Sequence, residues 1–196
     1  MDLTPKIETL TIKDNRGFLK RINLGLNDEF AWAQRHVVKE VESQYNSGKP
    51  VRIIVLKARQ LGLSTISEAI MFWWGFYHNN INGLVMAHDA KTSANLFEMD
   101  KLFWETWPFK NLYSLKYATR HQLQWIETRV NLSVATANNA LSGRGSTYQA
   151  IHASECAFYA DPVTLFTGLH QTIHYNHGTI EILESTANGI GNWFYH

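Results

Sequence analysis

The sequence predicts an α/β fold, a mainly parallel sheet with helices on both faces. Three observations predict it. Apolar, β-branched runs of strand length alternate with longer helical segments. The run VRIIVLKARQLGLST at 51–65 reads as a strand entering a phosphate-binding loop that opens a helix. Two later strand-like runs, YQAIHASE at 148–155 and TIEILESTAN at 179–188, end in small polar or acidic residues. In an open parallel sheet, ligands bind outside the carboxyl ends of the strands.

Along the chain, residues 1–27 are mixed and turn-rich and read as an N-terminal arm; 28–196 read as one domain. Asp28–Tyr45 is a predicted helix, with Asn27 as N-cap and Asn46-Ser47-Gly48 as its stop. Val51–Leu56 is apolar enough for a strand covered on both faces. Residues 64–78 are helical, and Gly83–Ala87 is a second buried strand. His88-Asp89 opens a helix over Lys91–Trp107, halted by Pro108. Leu123–Glu127 and Val130–Ala135 form a hairpin across Thr128-Arg129. Residues 138–147, NNALSGRGST, are the one glycine-rich loop. A strand at 148–153, a helix at 162–173 and a strand at 179–184 complete the alternation.

The loop departs from the usual G-x-x-x-x-G-K-[ST] pattern. Aligned on Gly62, the chain has Ser64 at the metal-binding hydroxyl position. Leu63 stands at the lysine position and Lys57 at the first glycine position. The lysine is therefore displaced to the opposite end of the loop. The chemistry asks for a mobile cation at the β/γ-phosphates, inward amides and a hydroxyl on Mg²⁺. Lys57 or Arg59 can supply the cation, and Gly62 permits close backbone approach. The plain alternative is a strand–turn–helix with a solvated Lys and Arg. The later strand ends favour the nucleotide reading, because a glutamate just past a strand facing such a loop can activate water.

At these residues the chain resembles a family, the large terminase subunits of tailed double-stranded DNA bacteriophages, in their N-terminal packaging ATPase domain. KARQLGLST is similar to the deviant Walker A of terminases. LSGRGSTYQAIHASECAFY resembles the R-G segment followed by Walker B. ESTANGIGNWFY looks like the coupling motif, and FAWAQRHVV resembles the upstream glutamine motif. The likeness runs from about Phe30 to the C-terminus.

The resemblance implies a P-loop NTPase of the RecA-like ASCE type, using ATP and Mg²⁺. It implies that Lys57 and Arg59 contact the β/γ-phosphates, while Gln60, Gly62 and Leu63 shape the loop. Ser64 would bind Mg²⁺ and Thr65 the α-phosphate. Ser154 stands where Walker B usually has an Asp, so Mg²⁺ would be held there through water; Glu155 matches the catalytic glutamate and a metal neighbour. Arg144 matches an arginine that can act in trans between subunits of a ring. Ser185, Thr186 and Asn188 match the coupling motif, and Gln34 the adenine contact. The implied partners are double-stranded DNA, the procapsid portal, the small terminase subunit and further copies of the chain. The implied place is the cytoplasm of an infected bacterium. Terminases also carry a C-terminal nuclease, and none is expected here, so the chain is expected to be a truncated or stand-alone ATPase piece.

Bulk properties fit. A chain of 196 residues, 45% hydrophobic and 18% charged, can build a real core. A net charge of +1 gives no strong general pull on DNA, so contact would come from a local patch or an assembled ring. The single cysteine, Cys156, cannot form an internal disulfide and reads as a small buried residue of a reducing compartment. No segment reads as a membrane span or a signal peptide. His170 and His174 are spaced i, i+4, but no Cys or acid beside them completes a zinc site. His88-Asp89 reads mainly as a helix cap that faces the loop's edge. Trp73, Trp74, Trp104 and Trp107 read as core. Two other functions stay open: a nucleotide-binding but inactive subunit, and a helicase-like P-loop ATPase. Retention of a cation, a hydroxyl and an acid on one edge favours the packaging motor.

Overall fold

The computed structural model describes residues 30–139 and 146–196. The predicted arm, the Asn27 cap and Arg144 lie outside the described residues.

The elements are α1 (Trp32–Asn46), β1 (Val51–Lys57), α2 (Leu63–His78), β2 (Asn82–Ala87), α3 (Ala90–Thr106), β3 (Leu115–Ala118), β4 (Gln122–Trp125), β5 (Asn131–Thr136), β6 (Ala150–Ser154), α4 (Pro162–His170) and β7 (Ile180–Thr186). They build one seven-stranded sheet in the order β1-β7-β6-β2-β5-β4-β3. Pairing is parallel from β1 through β5 and antiparallel from β5 through β3. The expected mainly parallel sheet is present, extended by antiparallel pairing at the β4 and β3 end. The parallel order places the ends of β1, β6, β7 and β2 on one edge.

Alternation along the strands splits the core in two. Val85, Ile180 and Ile182 face a layer packed by α1, α2 and α3. Leu84, Met86, Ile151 and Leu183 face α4, with Trp193 and Phe194 beside it. Helices therefore cover both faces. Trp73, Trp74 and Trp107 are buried and Trp104 packs, partly buried, against Trp107 in the same core, as expected.

Three expectations need correction, and one strand is additional. α1 starts at Trp32, four residues after the predicted Asp28. The Gln34 side chain fixes that start by accepting from the Ala31 N–H at 2.8 Å, half of a capping box. β1 is an edge strand rather than one covered on both faces. Val51 and Ile53 are buried, but Ile54 and Leu56 are 72% and 70% exposed, because α4 packs over other strands. β3 lies in a segment for which no element is predicted. It pairs with β4 through a register shift, and most of its residues are exposed. Its apolar pattern is therefore weak. α4 ends at His170, so His174 is not on a helix and the i, i+4 pair does not exist. The hairpin across Thr128-Arg129 is present, with Arg129 at a positive φ of 55°.

Candidate active site

β1 ends at Lys57, and Ala58–Gly62 turns the chain into α2. The turn needs left-handed backbone at Gln60 (φ 62°) and at Gly62 (φ 64°), which is the residue before the first turn of α2. Gln34 braces it from α1, donating to the Gly62 carbonyl at 3.1 Å. The same amide also caps α1, so Gln34 is buried behind the loop and does not line the cavity.

That cavity, about 470 Å³, lies on the carboxyl edge of the sheet. Of the predicted residues, Lys57, Arg59, Gln60, Gly62, Leu63, Ser64, Thr65, Glu155 and Thr186 line it. Ser154, Ser185 and Asn188 do not, nor does Gln34. Arg144 is outside the described residues. His88, Thr92, Met99 and Phe158 line it as well. Asp89 caps α3, accepting from the Thr92 N–H at 2.7 Å, which sets His88 at the mouth.

The charges converge on Lys57. Its Nζ donates to Ser64 Oγ at 2.7 Å and lies 3.1 Å from Glu184 Oε1 and 3.5 Å from Glu155 Oε1. Glu155 follows β6 in the left-handed conformation, φ 58°, which costs a non-glycine residue about 1–2 kcal/mol. The segment over-determines it. Glu155 Oε2 accepts from the Thr186 N–H at 3.1 Å and from its hydroxyl at 3.0 Å. Ser185 Oγ donates to the same oxygen at 3.5 Å. Asn188 Nδ2 donates to the Ala157 carbonyl at 2.9 Å. The end of β7 thus aims Glu155 and ties its turn down.

Behind Lys57 lies a buried chain of charge that the sequence reading did not single out. His152 on β6 sits between Glu68 of α2, on Nδ1, and Glu184 of β7, 3.3 Å from Nε2. Asp100 of α3 adjoins Glu68. All four are fully buried. Burial alone would keep the His152 ring neutral, but Glu68 and Glu184 outweigh it and raise its pKa to about 9. Burial likewise works against ionised Glu184, but His152 and Lys57 hold its carboxyl down at about 2. Burial, then the Glu68 carboxylate, push Asp100 well up, so it carries a proton. Burial also pushes the Cys156 thiol up to about 12, so it is no nucleophile.

His152 gives a signed expectation. Its folded pKa is raised above the ordinary 6.5, so its contribution is fully present below pH 6.5 and lost as pH rises through about 9. Thermal melts from pH 6.5 to 9.5 should show a falling Tm. His152→Gln should melt lower and flatten that slope. A flat wild-type profile would mean that the ring is not charged.

No protein-family model matches the sequence, and no curated protein does. Solved structures do. The large terminase of bacteriophage HK97 superposes with a TM-score of 0.68 at 15% identity, over 86% of this chain and 36% of that one. A mutant of the large terminase ATPase domain of Thermus phage P74-26 gives 0.60 at 15%, over 88% and 70%. The chain has the fold of a phage large terminase ATPase domain. A thermophilic bacteriophage's large terminase in complex with ATP-γ-S gives 0.61 at 12%, over 85% of this chain and 40% of that one. The chain thus spans well under half of the HK97 and thermophilic-phage terminases. Lys57, Ser64 and Glu155 meet in one cavity on this terminase fold, although Glu155 lies far from the other two in sequence.

Proposed function

We propose that this chain is the ATP-hydrolysing motor domain of a viral large terminase, powering movement of double-stranded DNA into a procapsid. The observation that carries it is the meeting of Lys57, Ser64 and Glu155 in one cavity at the carboxyl edge of a terminase-like sheet.

The triphosphate would lie against the first turn of α2, where free amides and the helix dipole favour anions. Lys57 and Arg59 would meet the β- and γ-oxygens, and Thr65 the α-phosphate. Ser64, with Glu155 close by, offers the oxygen donors that suit Mg²⁺. The ammonium already seated among those oxygens is a stand-in cation, which supports the fit. Bound there, Mg²⁺ would offset charge on the β- and γ-oxygens. Glu155 would orient a water for in-line attack on the γ-phosphorus and take its proton as ADP leaves. The hydrogen bonds from Ser185 and Thr186 to Glu155 give β7 a direct means of relaying hydrolysis to the C-terminal segment beyond it. The same reading places the protein in the infected bacterial cytoplasm, on the portal, with DNA, the small terminase subunit and a ring of its own copies. Phosphate release from MgATP, with and without double-stranded DNA, tests it. No release under either condition would overturn it.

Arg144 enters as a finger supplied to a neighbour's site, a device that adds ~10³–10⁵ in rate. Specific activity should rise with protein concentration, and Arg144→Ala should remove that rise while nucleotide affinity stays nearly unchanged. Mixing Arg144→Ala with Glu155→Gln should restore activity, because each subunit supplies what the other lacks. No recovery among subunits that demonstrably associate would mean that Arg144 only braces its own loop.

A further inference from the structure

We propose that Glu184 is the metal-side carboxylate of this site, in place of the acid that β6 lacks, and that the Lys57 ammonium holds the metal's position until nucleotide draws it onto the phosphates. The proposal rests on the nucleotide reading above.

The Lys57 ammonium lies among three oxygens from three separate segments: Ser64 Oγ of α2, Glu184 Oε1 of β7 and Glu155 Oε1 after β6. One hydroxyl and two carboxylates are a hard-oxygen donor set, the kind Mg²⁺ takes with water completing the shell. Ser154 ends β6 directly across from Glu184 in the parallel register. It brings a neutral hydroxyl. Neither Ser154 nor Glu184 lines the cavity, but Glu184 lies directly behind Lys57, which does, 3.1 Å from its ammonium. The adjacent strand therefore supplies, one position sideways, the negative charge missing from the end of β6.

Glu184 also has unmet capacity. It is fully buried, and neither of its oxygens accepts a well-aligned hydrogen bond. What meets it is charge, Lys57 on one side and His152 on the other. A buried carboxylate needs such partners. His152 sits deeper, between Glu184 and Glu68, and keeps Glu184 compensated after Lys57 leaves. When phosphates pull the ammonium away, the oxygens it leaves are those that a divalent cation would take. A lysine at the start of the loop can do this because it rises from the end of β1, the strand beside β7.

Mn²⁺ serves as the probe, with free metal read by electron paramagnetic resonance. On the protein without nucleotide, Lys57→Ala should bind Mn²⁺ roughly tenfold or more tighter than wild type, the scale on which groups around a site change metal affinity. Adding Glu184→Gln to Lys57→Ala should abolish the gain, and adding Glu184→Asp should leave part of it. Separately, Glu184→Gln should keep ATP-γ-S binding in EDTA but lose the tightening that Mn²⁺ gives wild type, again by roughly tenfold. Circular dichroism confirms folding of each variant, and the Glu184→Asp arm on Lys57→Ala decides the matter if Glu184→Gln fails to fold, a gain left whole there overturning the proposal. No gain in Lys57→Ala, or a gain that survives Glu184→Gln, overturns the proposal. So does loss of the Mn²⁺ effect in Ser154→Ala with its retention in Glu184→Gln. Wild type that binds no ATP-γ-S under any condition would sink the nucleotide reading instead, while the nucleotide-free Mn²⁺ arm still reports on Glu184.

Discussion

Glu155→Gln is expected to keep nucleotide binding and to lose hydrolysis by roughly two orders of magnitude or more, the scale for a positioned general base. The substitution keeps the shape of the side chain. Its amide oxygen can still accept from the Thr186 N–H and hydroxyl, which hold Glu155 Oε2 at 3.1 and 3.0 Å. The turn after β6 should therefore keep its left-handed start. What disappears is the basic oxygen that takes a proton from water. Calorimetry with ATP-γ-S and a phosphate-release assay separate the two effects. Normal turnover in the variant would make Glu155 a strand end whose hydrogen bonds only close a turn.

Lys57→Ala should abolish tight ATP binding or turnover. Arg59 then remains as the loop's cation, and it stands exposed on the turn rather than among the Ser64, Glu155 and Glu184 oxygens. The variant should also melt lower, because Glu184 keeps only His152 as a charged partner. Leu63→Ala is the control. Leu63 occupies the standard lysine position in sequence, yet its side chain is 5% exposed and belongs to the core under α2. Its loss should lower stability by about 2–5 kcal/mol, as for other buried leucines. Phosphate contact through its backbone should survive, so affinity at a temperature where both variants are folded should fall far less than for Lys57→Ala. Equal loss at the two positions, or none at Lys57, would contradict the displaced lysine.

The parts of the site that could be read from sequence are those with local signatures. A β-branched run, a loop with Lys57, Gly62 and Ser64, and a helical pattern lie consecutively, so strand, turn and helix announce themselves. Glu155 and Thr186 are legible because one follows and the other ends an apolar strand, and parallel topology brings strand ends to one edge. β1 shows the limit of that logic. Its composition gives no sign that it is an edge strand, because strand order is set by long-range pairing. Gln34 was legible as a candidate but not in its role. Only the packing of α1 against the loop shows that its amide braces Gly62.

The Glu68–His152–Glu184 chain was the larger omission. Each residue sits in an apolar segment: Glu68 within ISEAIMFWW, His152 within YQAIHAS, Glu184 within IEILES. A charged residue on the core side of a central strand is a signal, because burial of a lone charge is so unfavourable that a partner must exist. The partners come from three elements far apart in sequence. The sequence could thus have flagged each residue without pairing them.

The central claim is that the cavity between the loop and Glu155 is a triphosphate site whose affinity comes from the phosphates. Calorimetric titration of the wild-type protein with ATP-γ-S, ADP and AMP, each with Mg²⁺, tests it most directly. The account predicts saturable binding at one site per chain, with affinity falling in that order, because Lys57, Arg59, Ser64 and the amides of α2 all face the phosphate end. Equal affinity for all three nucleotides, or no binding by ATP-γ-S, would contradict it.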